Sequence, residues 1–289
     1  MLARKFKEFI IEKLILLCGL ASIVFVLLIF LFLLKEGLAV FKTVSPLKFI
    51  FGKSWYPISE PARLGILPLI LGSLLVTLGA SLISVPIGVA CAIYIAEVAP
   101  LKAKEALKAG IELLAAIPSV VLGFIGMVTL VPWVKQAFKL PTGLTALSGS
   151  IMLAFMAMPT IVSIAEDALY SVPKSYKEGA LALGATRWQA IWRVELPAAS
   201  SGILAAVMLG IGRVIGETMA VMMITGNAAV MPRGILQPVR TLTATIAAEM
   251  GEAVAGSEHY FALFAIGIVL SIISFAINVT ADLALHKKN

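Results

Sequence analysis

The chain has 289 residues, of which 60% are hydrophobic and 13% are charged, and its formal net charge is +7. A soluble domain is about half apolar and about a quarter charged, so this chain has too little polar surface for a water-soluble globule. The low charge also excludes intrinsic disorder, and the two cysteines exclude a disulfide scaffold. An integral membrane protein remains, in which positive charge first reports topology rather than nucleic-acid binding.

Six apolar stretches are long enough to cross a bilayer core of about 30 Å as helices. The first, residues 14–34, follows a basic segment and precedes no clear signal-peptidase site, so we expect an uncleaved anchor helix. Prolines in the second predict a tilted or bent helix. The other five stretches are residues 66–95, 113–134, 147–165, 202–224 and 261–280.

The basic residues predict which way the chain crosses the membrane. Six spans place both termini on one side, and the basic residues of that side crowd near the span ends. The opposite side has two long segments, 35–65 and 225–260, in which charge is spread thinly. The positive-inside rule therefore predicts that both termini are cytoplasmic. The basic residues on the predicted inner side are Arg4, Lys5, Lys7, Lys13, Lys102, Lys104, Lys108, Lys174, Lys177, Arg187, Arg193, Lys287 and Lys288.

Cysteine and histidine residues give no indication of a metal or catalytic centre. Cys18 and Cys91 lie within apolar spans, where we expect buried small hydrophobic residues. His259 and His286 lie near opposite ends of the sixth stretch and cannot form a metal cluster together. A membrane-embedded enzyme is disfavoured because the sequence has no zinc-protease motif and no credible Ser/His/Asp grouping.

The most polar predicted cytoplasmic segment, residues 166–200, has two helix-start patterns. Ser175 with Glu178, and Thr186 with Gln189, fit the capping box. Gly184 lies between them, where a first helix would end in a glycine turn. The pattern predicts two short helices outside the membrane, with Pro197 after the second.

Trp188 and Trp192 are four residues apart and should share one face of the second short helix. Two uses are open. The rings can pack against the transmembrane helices or lie at the headgroup level, or they can be presented to another protein.

This segment resembles the EAA loop of ABC-importer permeases, which reads E-A-A-x3-G-x9-I-x-L-P. Gly179 and Val194 depart from the pattern by small changes in size. The resemblance implies coupling helices that dock on an ATPase subunit, with Glu178, Ala180 and Gly184 in the motif roles and the two tryptophans beside them. The motif residues are Glu178, Gly179, Ala180, Gly184, Val194, Leu196 and Pro197.

The chain lacks a nucleotide site of its own by sequence. A Walker A motif needs G-x4-G-K-[ST], and the nearest match, Gly52-Lys53-Ser54, has Leu47 in place of the first glycine. We therefore expect that this chain binds no cofactor and that ATP with magnesium is bound by a partner ATPase.

Arg213 and Glu217 are charges deep within the fifth stretch, where each costs about 2.5–3.5 kcal/mol at the bilayer centre. Their spacing predicts that they share one helical face. They can form a buried ion pair, or Arg213 can face the pathway and meet an oxyanion while Glu217 tunes it; the two can coexist. Thr218 could bind an anion or its own backbone.

Residues 212–221, Gly-Arg-Val-Ile-Gly-Glu-Thr-Met-Ala-Val, resemble the G-R-A-I-G-E-T-M-A-V signature of the PstC family of phosphate permeases. Sulfate and molybdate permeases typically read G-E-F-G-A, and the PstA family reads G-E-T-A-P. Thr218, Met219 and Ala220 therefore favour the PstC family over these alternatives. The resemblance implies that Arg213, Glu217 and Thr218 line the substrate pathway.

The resemblance implies an all-α protein with six transmembrane helices and the ABC type-1 (MetI-like) permease fold. Residues 1–65 would form an anchor helix and outer segment, and residues 66–283 the permease domain. Expected partners are a PstA-like second permease, two PstB-like ATPase subunits and a PstS-like extracytoplasmic phosphate-binding protein. A passive anion channel would explain Arg213 but not the coupling loop.

Overall fold

The protein is described here from a computed structural model, which describes residues 2–286. Lys287 and Lys288 lie outside the described residues, as do the side chains of Arg4, Lys5, Lys7 and His286. A short 3₁₀ turn at Ala39–Lys42 and two π turns at Tyr94–Val98 and Ile191–Glu195 interrupt the helical pattern. The elements are α1 Leu2–Leu38, α2 Pro46–Phe51, β1 Trp55–Tyr56, β2 Arg63–Leu64, α3 Leu67–Ile93, α4 Leu101–Ala116, α5 Ser119–Val128, α6 Leu130–Ala137, α7 Ala146–Tyr170, α8 Lys174–Ala182, α9 Arg187–Ala190, α10 Leu196–Ala198, α11 Ser200–Gly216, α12 Met219–Ile224, α13 Leu242–Glu249 and α14 Glu258–His286.

Within residues 2–286, five helical segments are long and apolar enough to cross a membrane. A sixth is obtained when α11 is taken with the preceding segment Arg187–Ala198, from which it is bent by 70°. This confirms the predicted all-α membrane architecture. The five segments are Phe9–Lys42, Leu67–Val98, Ser119–Ala137, Ala146–Tyr170 and Glu258–Thr280.

The predicted third span, residues 113–134, is wrong at both ends. Ile117 precedes Pro118 and is extended at φ −69°, ψ 127°, because a residue before proline disfavours the helical region. Residues 113–116 therefore belong to α4, a helix without buried residues. The membrane-crossing segment is instead Ser119–Ala137, formed by α5 and α6.

The predicted fifth span is also not one continuous helix. Helix α11 ends at Gly216, Glu217 is extended at φ −68°, ψ 133°, and α12 begins at Met219. The expectation that Arg213 and Glu217 share one helical face is therefore wrong, because Glu217 lies beyond the end of the helix that carries Arg213.

The core forms where α3, α7 and α11 pack together, and small residues allow the backbones to approach. Gly79 faces Ser150, whose hydroxyl donates to the Val76 carbonyl oxygen at 3.2 Å. Gly210 of α11 lies against Ile161 of α7. The buried side chains of this core include Val76, Ala80, Leu153, Met156, Ala157, Ile161, Val214 and Ile224.

Helix α1 contacts the rest of the protein mainly through its last turns, which pack on α14. Phe32 and Phe264 meet edge to face at 5.5 Å between ring centroids, and Leu33 covers Gly267. Cys18 of α1 and Cys91 of α3 are exposed on the chain, so the expectation that both are buried is wrong. A helix that is apolar all round can present such residues to lipid as easily as to a core.

The two long non-spanning segments meet at Glu249 of α13. Its carboxylate accepts hydrogen bonds from Trp55 Nε1 at 3.1 and 3.2 Å, lies 2.9 Å from His259 Nε2, and is paired with Arg240. Arg240 Nε also donates to the Asn227 side chain at 2.8 Å. One carboxylate therefore connects the β1–β2 hairpin, the segment after α12 and the start of α14.

The packing of α11 on α7 makes a testable prediction about Gly210. A Cβ atom there would lie 2.4 Å from Ile161 Cγ1, whereas a Cβ at Gly212 would meet nothing within 4 Å. We expect Gly210→Ala to destabilise the subunit by about 1–3 kcal/mol through overpacking. Gly212→Ala is the matched control, and thermal unfolding of the detergent-purified subunit is the measurement. Equal melting temperatures for the two variants would contradict this packing.

Candidate substrate pathway and coupling surface

Arg213 lies in the last turn of α11, and its side chain is exposed on the chain. Its Nη1 donates to Thr160 Oγ1 of α7 at 3.4 Å. Among the side chains that the structure describes, no carboxylate lies in ion-pair range of this guanidinium, so the Arg213–Glu217 ion pair, one of the two alternatives, is not formed in this conformation. Thr160 did not stand out from sequence as a pathway residue, although a hydroxyl directly after Pro159 in an apolar span was an available signal.

Glu217 and Thr218 occupy the break between α11 and α12, and their polar groups bind backbone. Glu217 Oε1 accepts from the Ala220 amide at 3.2 Å, and its carbonyl oxygen accepts from Thr243 Oγ1 at 2.8 Å. Thr218 Oγ1 donates to the Gly216 carbonyl at 3.1 Å. The structure therefore brings Glu217 and Thr218 together at the break but leaves Arg213 one turn away.

The surface around Arg213 is open enough for an anion or another helix to approach. Added Cβ atoms at Gly212 and Gly216 would meet nothing within 4 Å, so these glycines are not packed against another described helix. A guanidinium without a carboxylate partner can form two parallel hydrogen bonds to an oxyanion. The arrangement is chemically suited to transient oxyanion contact.

The predicted pair of short helices is present between α7 and α11. Gly184 adopts φ +87° at the turn, the left-handed region that favours glycine. The second capping box is confirmed, with Thr186 Oγ1 accepting from the Gln189 amide at 3.3 Å and Gln189 Oε1 accepting from the Thr186 amide at 2.9 Å. The first is wrong: α8 begins directly after Pro173, so Ser175 already lies within the first turn and makes no cap bond.

The coupling-loop residues lie on two different surfaces. Helix α8 and the α9 segment form a concave surface around a pocket of about 440 Å³, which is lined by residues that include Gly179, Ala180 and Gln189. The tryptophans lie apart from it and line a groove of about 410 Å³ against α3, with their rings 5.7 Å apart. The predicted shared face is confirmed, and both tryptophans are more than half exposed, so their rings are accessible to lipid headgroups or to another protein.

A buried ion cluster that the sequence did not reveal joins α4 to the end of α7. Glu166 is buried, and its two carboxylate oxygens lie 2.9 Å from Lys104 Nζ and from Lys108 Nζ, respectively. The hydrogen bond to Glu166 is the main cause that raises the pKa of Lys108 above its ordinary value. The two lysine–Glu166 ion pairs hold the amphipathic helix α4 against α7. Within the described part of the chain, no three His, Cys, Asp or Glu residues are grouped to hold a metal ion.

The bent fifth span and the paired short helices between α7 and α11 complete the architecture of a multi-pass helical membrane protein. Residues 84–285 match the family described as the binding-protein-dependent transport system inner membrane component, and the chain belongs to that family. It is accordingly a multi-pass inner-membrane ABC-importer permease, a transport component rather than an enzyme.

Two relatives are similar to the chain over most of its length. It is 42% identical over 260 residues to a probable ABC transporter permease protein YqgH of Bacillus subtilis, which covers 89% of this chain and 84% of the relative. It is 35% identical over 248 residues to the phosphate transport system permease protein PstC of Mesorhizobium japonicum, covering 79% and 75%.

Solved structures resemble the fold with little sequence identity. A chain of the bacterial alginate ABC transporter aligns with TM-score 0.65 and 17% identity over 93% of each chain. A chain of the MetNI methionine transporter aligns with TM-score 0.62 and 19% identity, covering 80% of this chain and 100% of the other. These likenesses confirm the predicted MetI-like fold.

Proposed function

We propose that this chain is a PstC-type permease subunit that moves inorganic phosphate across the membrane. The single observation that carries the proposal is Arg213, a guanidinium exposed at the end of α11 with a threonine hydroxyl as its described partner. A planar cation with free donors matches the oxygen atoms of phosphate. The resemblance to permeases named for phosphate transport supports this choice of oxyanion.

In this proposal Arg213 meets the anion transiently, and the break at Glu217 and Thr218 provides the movable element. Glu217 accepts a backbone amide here and would be free to approach Arg213 when the break rearranges. A carboxylate that approaches the guanidinium competes with the bound anion and promotes its release. The Arg213–Glu217 ion pair and the contact between Arg213 and the anion would then form at different stages of one transport cycle.

We further propose the assembly and orientation in which this cycle operates. A PstA-like permease faces Arg213 across the pathway, a PstS-like protein delivers phosphate from outside, and two PstB-like ATPases bind ATP with magnesium. The coupling surface of α8 and α9 faces those ATPases. Both termini are cytoplasmic, as the distribution of basic residues indicates.

The test is ATP-dependent uptake of radiolabelled phosphate by the assembled complex in proteoliposomes. We expect saturable phosphate uptake that requires ATP and persists in a large excess of sulfate or molybdate. The matched control is the same complex with an ATPase-inactive partner. Uptake of sulfate or molybdate in place of phosphate would show that the substrate is another oxyanion. Phosphate flux without ATP would indicate a passive channel.

A further inference from the structure

Helix α8 is held to the membrane domain by few interactions. None of its residues is buried, and an added Cβ at Gly179 would meet nothing within 4 Å. In the part of the chain that the structure describes, Lys177 is the one α8 side chain that hydrogen-bonds to another element. Besides its backbone connections to α7 and α9, this lysine is therefore the described side-chain link through which motion of α8 can reach other spans.

Lys177 binds two carboxylates from different parts of the fold. It is paired with Glu97 and lies 3.1 Å from Glu195 Oε1. Glu97 lies in the π turn Tyr94–Val98, which directly follows α3 at the end of the second span. Glu195 ends the π turn Ile191–Glu195, which leads through α10 into α11. These three residues, called the ion triad below, join α8 to the second span and to the span that carries Arg213.

Both acidic members of the ion triad lie in π turns. Glu97 is in Tyr94–Val98, and Glu195 ends Ile191–Glu195. Single π turns are uncommon and occur frequently at functional sites, because the extra residue re-aims the side chains around it. The two π turns place two carboxylates at the same lysine.

The charge balance of the ion triad makes Lys177 difficult to replace. The Glu97 and Glu195 side chains are only 12% and 5% exposed, and Glu195 Oε2 has no hydrogen-bond partner in the described residues. Burial opposes the ammonium, but the hydrogen bonds to both carboxylates prevail and raise the pKa of Lys177. Removing this one cation would leave buried carboxylates uncompensated, which is strongly unfavourable.

We propose that Lys177 is a positioning residue that transmits motion of α8 to the second and fifth spans through Glu97 and Glu195. Because α8 belongs to the surface assigned to the ATPases, this proposal rests on the proposed function. The lysine acts as a connection between helices and contacts neither substrate nor nucleotide.

The first test measures transport per ATP hydrolysed by the assembled complex. We expect Lys177→Met to retain copurifying ATPase activity while transport per ATP falls about tenfold, within the usual range of coupling energies. Lys177→Arg should restore most of the ratio, since it retains the charge. Lys174→Met removes a charge from the same helix where no described ion pair exists and should leave the ratio unchanged. An unchanged ratio in Lys177→Met, or an equal loss in Lys174→Met, would overturn the proposal.

A double-mutant cycle separates the ion triad from a general loss of stability. The cycle compares transport per ATP hydrolysed. If Lys177 acts through Glu97, the double variant Lys177→Met/Glu97→Gln should lose less of this ratio than the sum of the two single losses, expressed as free energies. Additive losses would show that the two residues act independently and would contradict the connection.

A second measurement needs no substrate, so its failure is distinguishable from failure of the phosphate assignment. Exposed Cys18 and Cys91 are replaced, and spin labels are placed at Ser175 of α8 and at Val98 beside Glu97. With Lys177 present, we expect the label distance to stay constant between the ATP-free and vanadate-trapped complexes. It should change on trapping in Lys177→Met. A change that is the same in both would refute the connection even if phosphate uptake is normal.

Discussion

Arg213→Gln is expected to abolish ATP-dependent phosphate uptake while the complex still assembles. A guanidinium can form two charge-assisted hydrogen bonds to an oxyanion, each worth about 1.5–3 kcal/mol, and glutamine retains neither the charge nor the fork. Losing both would lower uptake at least about 100-fold, since 1.4 kcal/mol corresponds to about tenfold. Radiolabelled uptake in proteoliposomes measures the loss, and copurification of the ATPase reports assembly.

Two variants control this experiment. Arg213→Lys keeps the charge without the planar fork and should give intermediate uptake. Arg233→Gln removes an exposed arginine from the segment that follows α12 and should leave uptake near normal. Normal uptake by Arg213→Gln would refute the pathway role. Assembly is expected to survive, because Arg213 forms only one long hydrogen bond within the described chain.

Gly184→Val is expected to separate the permease from its ATPase partner. Gly184 has φ +87°, and a left-handed conformation costs an ordinary L-residue about 1–2 kcal/mol, more when it is β-branched. The strain should open the turn between α8 and α9 and misplace the surface that both helices form. We expect copurifying ATPase and ATP-driven uptake to fall together by about tenfold or more, because 1.4 kcal/mol already gives tenfold.

Gly179→Ala is the matched control for Gly184→Val. Gly179 is in the interior of α8 with open space around it, so alanine should strengthen the helix by up to about 1 kcal/mol without altering the turn. Uptake and ATPase binding should be unchanged or improved. Glu178→Lys reverses an exposed charge on the same helix and should also weaken the ATPase contact. If pull-down and ATP-driven uptake persisted in both Gly184→Val and Glu178→Lys, the assignment of this surface would be wrong.

The sequence determined the class of the protein because its strongest signals are local. Apolar length predicts spans: residues 14–34, 147–165 and 261–280 lie within helices of the structure, and 66–95 corresponds to α3 and the π turn that follows it, apart from Ile66. Turn chemistry is equally local, so the left-handed Gly184 and the Thr186 cap were predictable from their neighbours. Helix ends in apolar sequence were predicted wrongly because hydropathy alone does not mark a break. The Ser175 cap and the burial of Cys18 and Cys91 were also predicted wrongly.

The site depended more on tertiary structure than the fold did. Spacing placed Arg213 and Glu217 on one helical face, but the chain leaves the helix at Glu217 because Ala220 and Thr243 bind its carboxylate and its carbonyl. Thr243 is far along the chain, so no local pattern could have shown this. Thr160 became a neighbour of Arg213 only through the packing of α11 on α7.

What the sequence by itself determined was a helical membrane protein with two short helices outside the membrane and an arginine in its fifth apolar stretch, and the resemblance of its motifs added the permease class. Hydropathy, charge distribution and glycine positions are properties of short segments, so they can be interpreted without knowledge of the fold. Only the tertiary structure decided which charges meet: Lys177 with Glu97 and Glu195, the lysines of α4 with Glu166, and Arg213 with no carboxylate among the described residues. Long-range ion pairs depend on how helices pack, and buried charges must find partners wherever packing brings them.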